Sequence, residues 1–145
     1  MHPRLAAKRF ERDVAGIAAE LCELREWTLF EAKYPILDIG FVSSNKSTLR
    51  LHFECEDWND VPPAVTLQDF DGTPLQYLPG GLTNIFNVGP HPIFRRPFIC
   101  MRGTREYHMH ESHRLDSWDG IKHLPGYRLG EIATQIWNGW KKNNP

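Results

Sequence analysis

Two runs, "YPILDIGFV" and "TLRLHFEC", separated only by the polar "SSNKS", constrain the fold more than any other part of the chain. In the first, Leu37, Ile39 and Phe41 alternate with Asp38 and Gly40; in the second, Leu49, Leu51, Phe53 and Cys55 alternate with Arg50, His52 and Glu54. A side-chain period of two marks a strand with one face in a core, and so short a connection makes the two runs antiparallel neighbours. "AVTLQDF", entered through Pro62 and Pro63 and closed by the turn "DGTP", supplies a third strand. A three-strand meander of half-buried strands is therefore expected, with Cys55 turned inward among its apolar residues.

The period changes at both ends of the chain. From Leu5 to Trp27 the residues Phe10, Val14, Ile17, Leu21 and Leu24 recur at spacings of three and four, and from Arg128 to Trp140 so do Leu129, Ile132, Ala133, Ile136, Trp137 and Trp140. Each is an amphipathic helix with a stripe to bury. The middle, "QYLPGGLTNIFNVGPHPIFRRP", is too dense in Gly and Pro for a long regular element and reads as an ordered irregular loop, with a turn at the "LPGG" of residues 78–81. "PFICM" then makes a short strand ending at Cys100. The 145 residues fit one domain spanning 1–145, with no repeat and no low-complexity tract. The class is α+β: N-terminal helix, antiparallel meander, proline-rich loop with a cysteine, C-terminal helix. Leu51, Phe53, Val65 and Leu67 should line the sheet face that helices carrying Val14 and Ile132 cover.

Composition removes several functional classes. The formal charge of −1 offers no basic field for nucleic acid, and no apolar run approaches the roughly 20 residues that a membrane span needs. Cys22, Cys55 and Cys100 are odd in number and far apart, and no secretory signal is evident, so a reducing, cytoplasmic setting is expected. Five Trp and eight Phe suit a packed core.

The chemistry concentrates in "ICMRGTREYHMHESH", residues 99–113. Cys100 reads either as a nucleophile or as a metal ligand, because a thiolate serves both purposes. As a nucleophile it would draw on Arg95, Arg96 and Arg102 to lower its pKa, while a histidine takes the proton from an incoming lysine amine, with Glu106 or Glu111 orienting that histidine. As a ligand it would join His108 and His110, which share one side of an extended segment, and His113, returned by a turn, around zinc; a Cys-Glu-His-His set is equally reasonable chemistry. His91 and His123 can approach the same region. His2 and His52 read as surface residues.

The order of these features resembles the ubiquitin-conjugating enzyme fold over nearly the whole chain. "DWNDVPPAVTL" keeps that family's paired prolines, Pro62 and Pro63, with Val65 two residues on; "HPI" at 91–93, "ICM" at 99–101, Trp118 and the helix after Arg128 follow in the family's order. The family's Asn after His-Pro is Ile93 here, which cannot donate a hydrogen bond to an oxyanion, and the segment after the cysteine departs from the eukaryotic pattern. A divergent bacterial member is implied. A predicted metal-binding family encoded beside bacterial ubiquitin-like proteins is also similar: its ordered Cys, Glu, His and His match Cys100, Glu106, His108 and either His110 or His113. These resemblances imply a transferase carrying a ubiquitin-like protein as a thioester on Cys100, with His108, His110 and Glu106 as catalytic candidates and His91 and Trp118 as binding candidates. The alternative is a zinc-binding or adaptor protein of the same fold, with Cys100, Glu106, His108 and His113 as ligands and no thioester. The implied partners are the ubiquitin-like protein, its activating enzyme and another conjugating enzyme.

Overall fold

The computed structural model describes residues 1–78 and 84–145, so most of the "LPGG" expected as a turn lies outside the described residues. Helix α1 (Pro3–Gly16) starts where the His2 imidazole accepts the Arg4 N–H and where Pro3 occupies a position that needs no donor. It buries Ala6, Phe10 and Val14. The chain then widens into a π-helical stretch, Ile17–Cys22, followed by a short turn, α2 (Glu23–Arg25). The wider turn adds one residue to the helical period. The inward position after Ile17 consequently falls at Cys22, Leu21 is only partly buried, and Leu24, expected on the buried stripe, is 82% exposed.

The sheet has four antiparallel strands in the order β1 (Thr28–Lys33), β2 (Ile36–Val42), β3 (Thr48–Glu54) and β4 (Ala64–Gln68). The three strands expected are β2, β3 and β4. The extra strand, β1, is exposed along its whole length and carries a bulge between Leu29 and Glu31. In register, Ile39 faces Leu51 and Leu51 faces Leu67, while Leu37 faces Phe53 and Phe53 faces Val65. All six are buried in one core with Phe10, Val14, Ile132, Ala133 and Ile136, which the N-terminal helix and α5 (Leu129–Lys141) contribute. Leu51→Ala should therefore cost about 2–5 kcal/mol, measured by denaturant unfolding; a loss below about 1 kcal/mol would contradict this packing.

The other face of β2 is not open to water, contrary to the half-buried reading. Asp38 is almost fully buried, and its carboxylate accepts from Arg50 Nη2 at 3.1 Å and pairs with His52 Nδ1 at 2.7 Å. Beside them Phe30 and Phe70 pack edge to face over Gly40, where an added Cβ would stand 2.7 Å from both rings. His52 is thus part of an ion-pair network, and His2 is a helix cap.

Two short strands follow the loop, β5 (Phe86–Asn87) and β6 (Phe98–Ile99), paired antiparallel. The Cys100 N–H continues the pairing by donating to Ile85 O at 2.7 Å. Helix α3 (Arg105–His108), capped by the Thr104 hydroxyl, lies against the rim of β4: the Arg105 N–H donates to Pro63 O, and the Glu106 carboxylate accepts the Val65 N–H. Further along the same rim the Leu75 N–H donates to Leu67 O. A 3₁₀ turn (Glu111–His113) and α4 (Trp118–Ile121) complete the path to α5. Among the described residues no helix is long and apolar enough to cross a membrane.

Candidate functional site

Cys100 stands at the end of β6, half-buried, where the following loop is held rigidly. The Thr104 hydroxyl donates to Ile99 O or Met101 O, and Gly103, at a left-handed φ of 99°, gives its N–H to His108 Nε2 at 3.0 Å. His108 Nδ1 donates to Asp116 O at 2.8 Å. Both nitrogens of His108 are therefore occupied, and burial lowers its pKa and keeps the ring neutral.

The histidine that reaches the cysteine is His113. Its Nε2 lies 3.6 Å from Cys100 Sγ, and its ring stacks on Tyr107 with centroids 4.0 Å apart and planes 12° from parallel. Tyr107 is fixed in turn, because its hydroxyl donates to Asp116 Oδ2 at 2.7 Å and the Arg102 guanidinium holds both oxygens of Asp116. The 3₁₀ turn that delivers His113 begins at His110, whose Nδ1 accepts the Ser112 N–H and pairs with the Ser112 hydroxyl. His110 caps this turn and packs beside His113 and His91. It makes no contact with the sulfur.

The remaining expected site residues sit elsewhere. Glu106 is fully buried and turned towards the sheet, where Val65 N–H reaches both carboxylate oxygens at 2.9 and 3.0 Å and Arg96 stands 3.5 Å away. His91 is fully buried; its Nε2 donates to Glu106 O, and its Nδ1 accepts the amides of Ile93 and Phe94. Trp118 is 5% exposed, donates Nε1–H to Asn59 O and packs on Trp58, so like His91 it braces the core and presents no binding surface. Two of the three arginines expected to activate Cys100 are engaged elsewhere, Arg102 with Asp116 and Arg96 with Glu106, and burial pushes the Cys100 thiol above its ordinary pKa. Cys22 and Cys55 are buried, with thiols also pushed up by burial.

Glu106 has a testable consequence of its own. Burial outweighs the Val65 amide and the Arg96 and Arg105 charges, and raises its carboxyl from 4.5 to about 7. A folded pKa above the unfolded one means the native state favours the protonated form. The resulting stability is complete below about pH 4.5 and lost as pH rises through about 7. Between pH 5 and pH 8 the wild type should lose on the order of 3 kcal/mol more than Glu106→Gln, by urea unfolding at each pH; parallel pH profiles would contradict this.

Among the described residues no group of three or more His, Cys, Asp or Glu side chains is arranged to hold a metal ion. Of the four expected ligands, only Cys100 and His113 meet. Comparison with models of known families and with curated protein sequences found no match for this chain.

Proposed function

We propose that the protein carries a ubiquitin-like protein as a thioester on Cys100, with His113 as the group that takes the thiol proton. The observation carrying this reading is the 3.6 Å approach of His113 Nε2 to Cys100 Sγ, on the one cysteine of the three that is not buried. A thiol held above its ordinary pKa is a poor nucleophile at neutral pH, and a fixed imidazole at the sulfur is the usual remedy. In the transfer step the S–H proton passes to His113 Nε2 and the thiolate attacks the carbonyl carbon of an incoming thioester. A new C–S bond forms as the old one breaks, and the departing thiolate takes the proton back. The partners follow from this step: an activating enzyme or another conjugating enzyme to supply the thioester, and an amine to receive the modifier.

The oxyanion formed during attack needs donors other than the amides of Ile93, Phe94, Cys100 and Gly103, which are all engaged. The direct test mixes the protein with a cognate activating enzyme, ATP and the ubiquitin-like partner. An adduct that resists denaturant and is cleaved by thiol is expected; no adduct, under conditions that charge another carrier, would remove this reading.

The rival is a zinc-binding or adaptor protein of the same fold. Its ligand set fits poorly: Glu106 is turned to Val65, and both nitrogens of His108 are hydrogen-bonded, leaving Cys100 and His113 where four ligands are wanted. Untagged protein should hold well under one zinc per chain by elemental analysis, and chelation should leave its Tm unchanged. Stoichiometric zinc with a Tm lowered by chelation would favour the rival.

A further inference from the structure

Away from Cys100, a small polar pocket of about 220 Å³ opens between α1, the residues after Trp58 and the segment joining α4 to α5. Its lining is strongly one-sided in charge: Arg9, Arg12, Lys122 and Arg128 are cationic, His123 adds an imidazole, and Asp13 is the one acid. Arg12 and Arg128 make no ion pair within 4 Å with any described residue, and both are exposed. Arg9 is held by Asn59 Oδ1 at 3.0 Å, and Asp60 stands 3.9 Å from it; Lys122 is held by Asp119 at 3.0 Å, with Asp60 at 3.6 Å. Asp13 is already engaged, since Oδ2 accepts from Trp58 Nε1 at 3.1 Å and from the Leu129 N–H at 3.4 Å. Arg9 and Lys122 are thus balanced by Asp60 and Asp119, and the uncompensated charge is that of Arg12 and Arg128, which share only Asp13, a carboxylate with two donors of its own.

We infer that this pocket binds a phosphoryl group, either as free phosphate or as a phosphomonoester. The volume is below the ~300 Å³ at which pockets for ordinary small molecules begin, which favours a compact anion. Guanidinium forks match the oxygens of a tetrahedral anion bidentately, and the two guanidiniums without an ion pair, Arg12 and Arg128, suit a phosphoryl group with several acceptor oxygens. Asn59 and Tyr127 supply neutral polar groups beside the charges. The site stands apart from the thioester chemistry and does not depend on it.

The test is titration of inorganic phosphate and, separately, of O-phosphoserine into the full chain at constant ionic strength set with chloride, followed by amide chemical shifts. Saturable shifts are expected at Asn59 and along residues 122–128. Arg12→Gln/Arg128→Gln should weaken binding at least tenfold while keeping the wild-type Tm in phosphate-free buffer, and Cys100→Ala should bind as the wild type does. Tighter binding of phosphoserine than of phosphate would assign the site to a phosphorylated partner; the reverse order would assign it to the free anion. Non-saturating shifts, shifts reproduced by chloride alone, or unchanged affinity in the folded double variant would overturn the inference. Because Cys100→Ala cannot form the proposed thioester, failure of either idea is read independently of the other.

Discussion

On the proposed chemistry, Cys100→Ala should abolish the thiol-cleavable adduct with a ubiquitin-like partner, while Cys22→Ala and Cys55→Ala should retain it. The expected contrast rests on burial: Cys22 and Cys55 lie in the core, where no carrier's carbonyl can reach them, and Cys100 is half-exposed with an imidazole at its sulfur. Cys100→Ser sharpens the test. A serine oxygen is a poorer leaving group than sulfur, so any adduct it forms should resist thiol and yield to hydroxide. The assay is non-reducing against reducing electrophoresis after charging. An adduct surviving in Cys100→Ala, or lost equally in Cys22→Ala without a fall in Tm, would place the acceptor elsewhere. Because Cys55→Ala opens a cavity in the core, Cys55→Ser or Cys55→Val at matched Tm serves as its control.

His113→Ala should slow charging at pH 7 by about 10²–10⁴-fold, and the deficit should shrink as pH rises. The sign follows from the thiol. Burial raises the Cys100 pKa above 9.0, so at neutral pH the sulfur without its base is almost wholly protonated and inert. Each unit of pH then raises the thiolate fraction, and the rate, about tenfold until the thiol's own pKa is passed. The wild type, using His113, should show a much flatter rise. Single-turnover transfer from a charged carrier between pH 6.5 and 9.5 gives both curves. A deficit of constant size across that range, together with an unchanged Tm, would make His113 a positioning group and leave the proton to another acceptor.

Much of the core was legible in the sequence because burial there imposes a period. Leu37, Leu51, Phe53, Val65 and Leu67 alternate with polar residues and pack inward as that alternation requires. β1 lacks the signal for a physical reason: "TLFEAK" is exposed on both faces, so nothing forces its residues to alternate. Leu24 misled because the helical period assumes a uniform turn, and the π-helical stretch Ile17–Cys22 shifts the buried stripe by one residue. At the site, the sequence brings Cys100 and the histidines close along the chain without saying which histidine returns to the sulfur. The turn capped by His110 decides that in favour of His113, while the buried hydrogen bonds of His91, Glu106 and His108 belong to the frame around it. His is not among the residues that ordinarily cap a turn, so no sequence rule singles out His110 as the residue that sets it.

The rim of β4 has a consequence for how this molecule meets other chains. Three of its outward-facing backbone groups, Pro63 O, Val65 N–H and Leu67 O, are occupied in turn by the Arg105 amide, the Glu106 carboxylate and the Leu75 amide. A sheet edge covered at these points is a poor template for another strand, so stacking of copies through this side is opposed by the same helix that frames the cysteine. The opposite rim, β1, is guarded differently, by the bulge between Leu29 and Glu31 and by the charges of Glu31 and Lys33. Strand addition by a partner peptide is thereby directed towards β1, where it must accommodate the bulge.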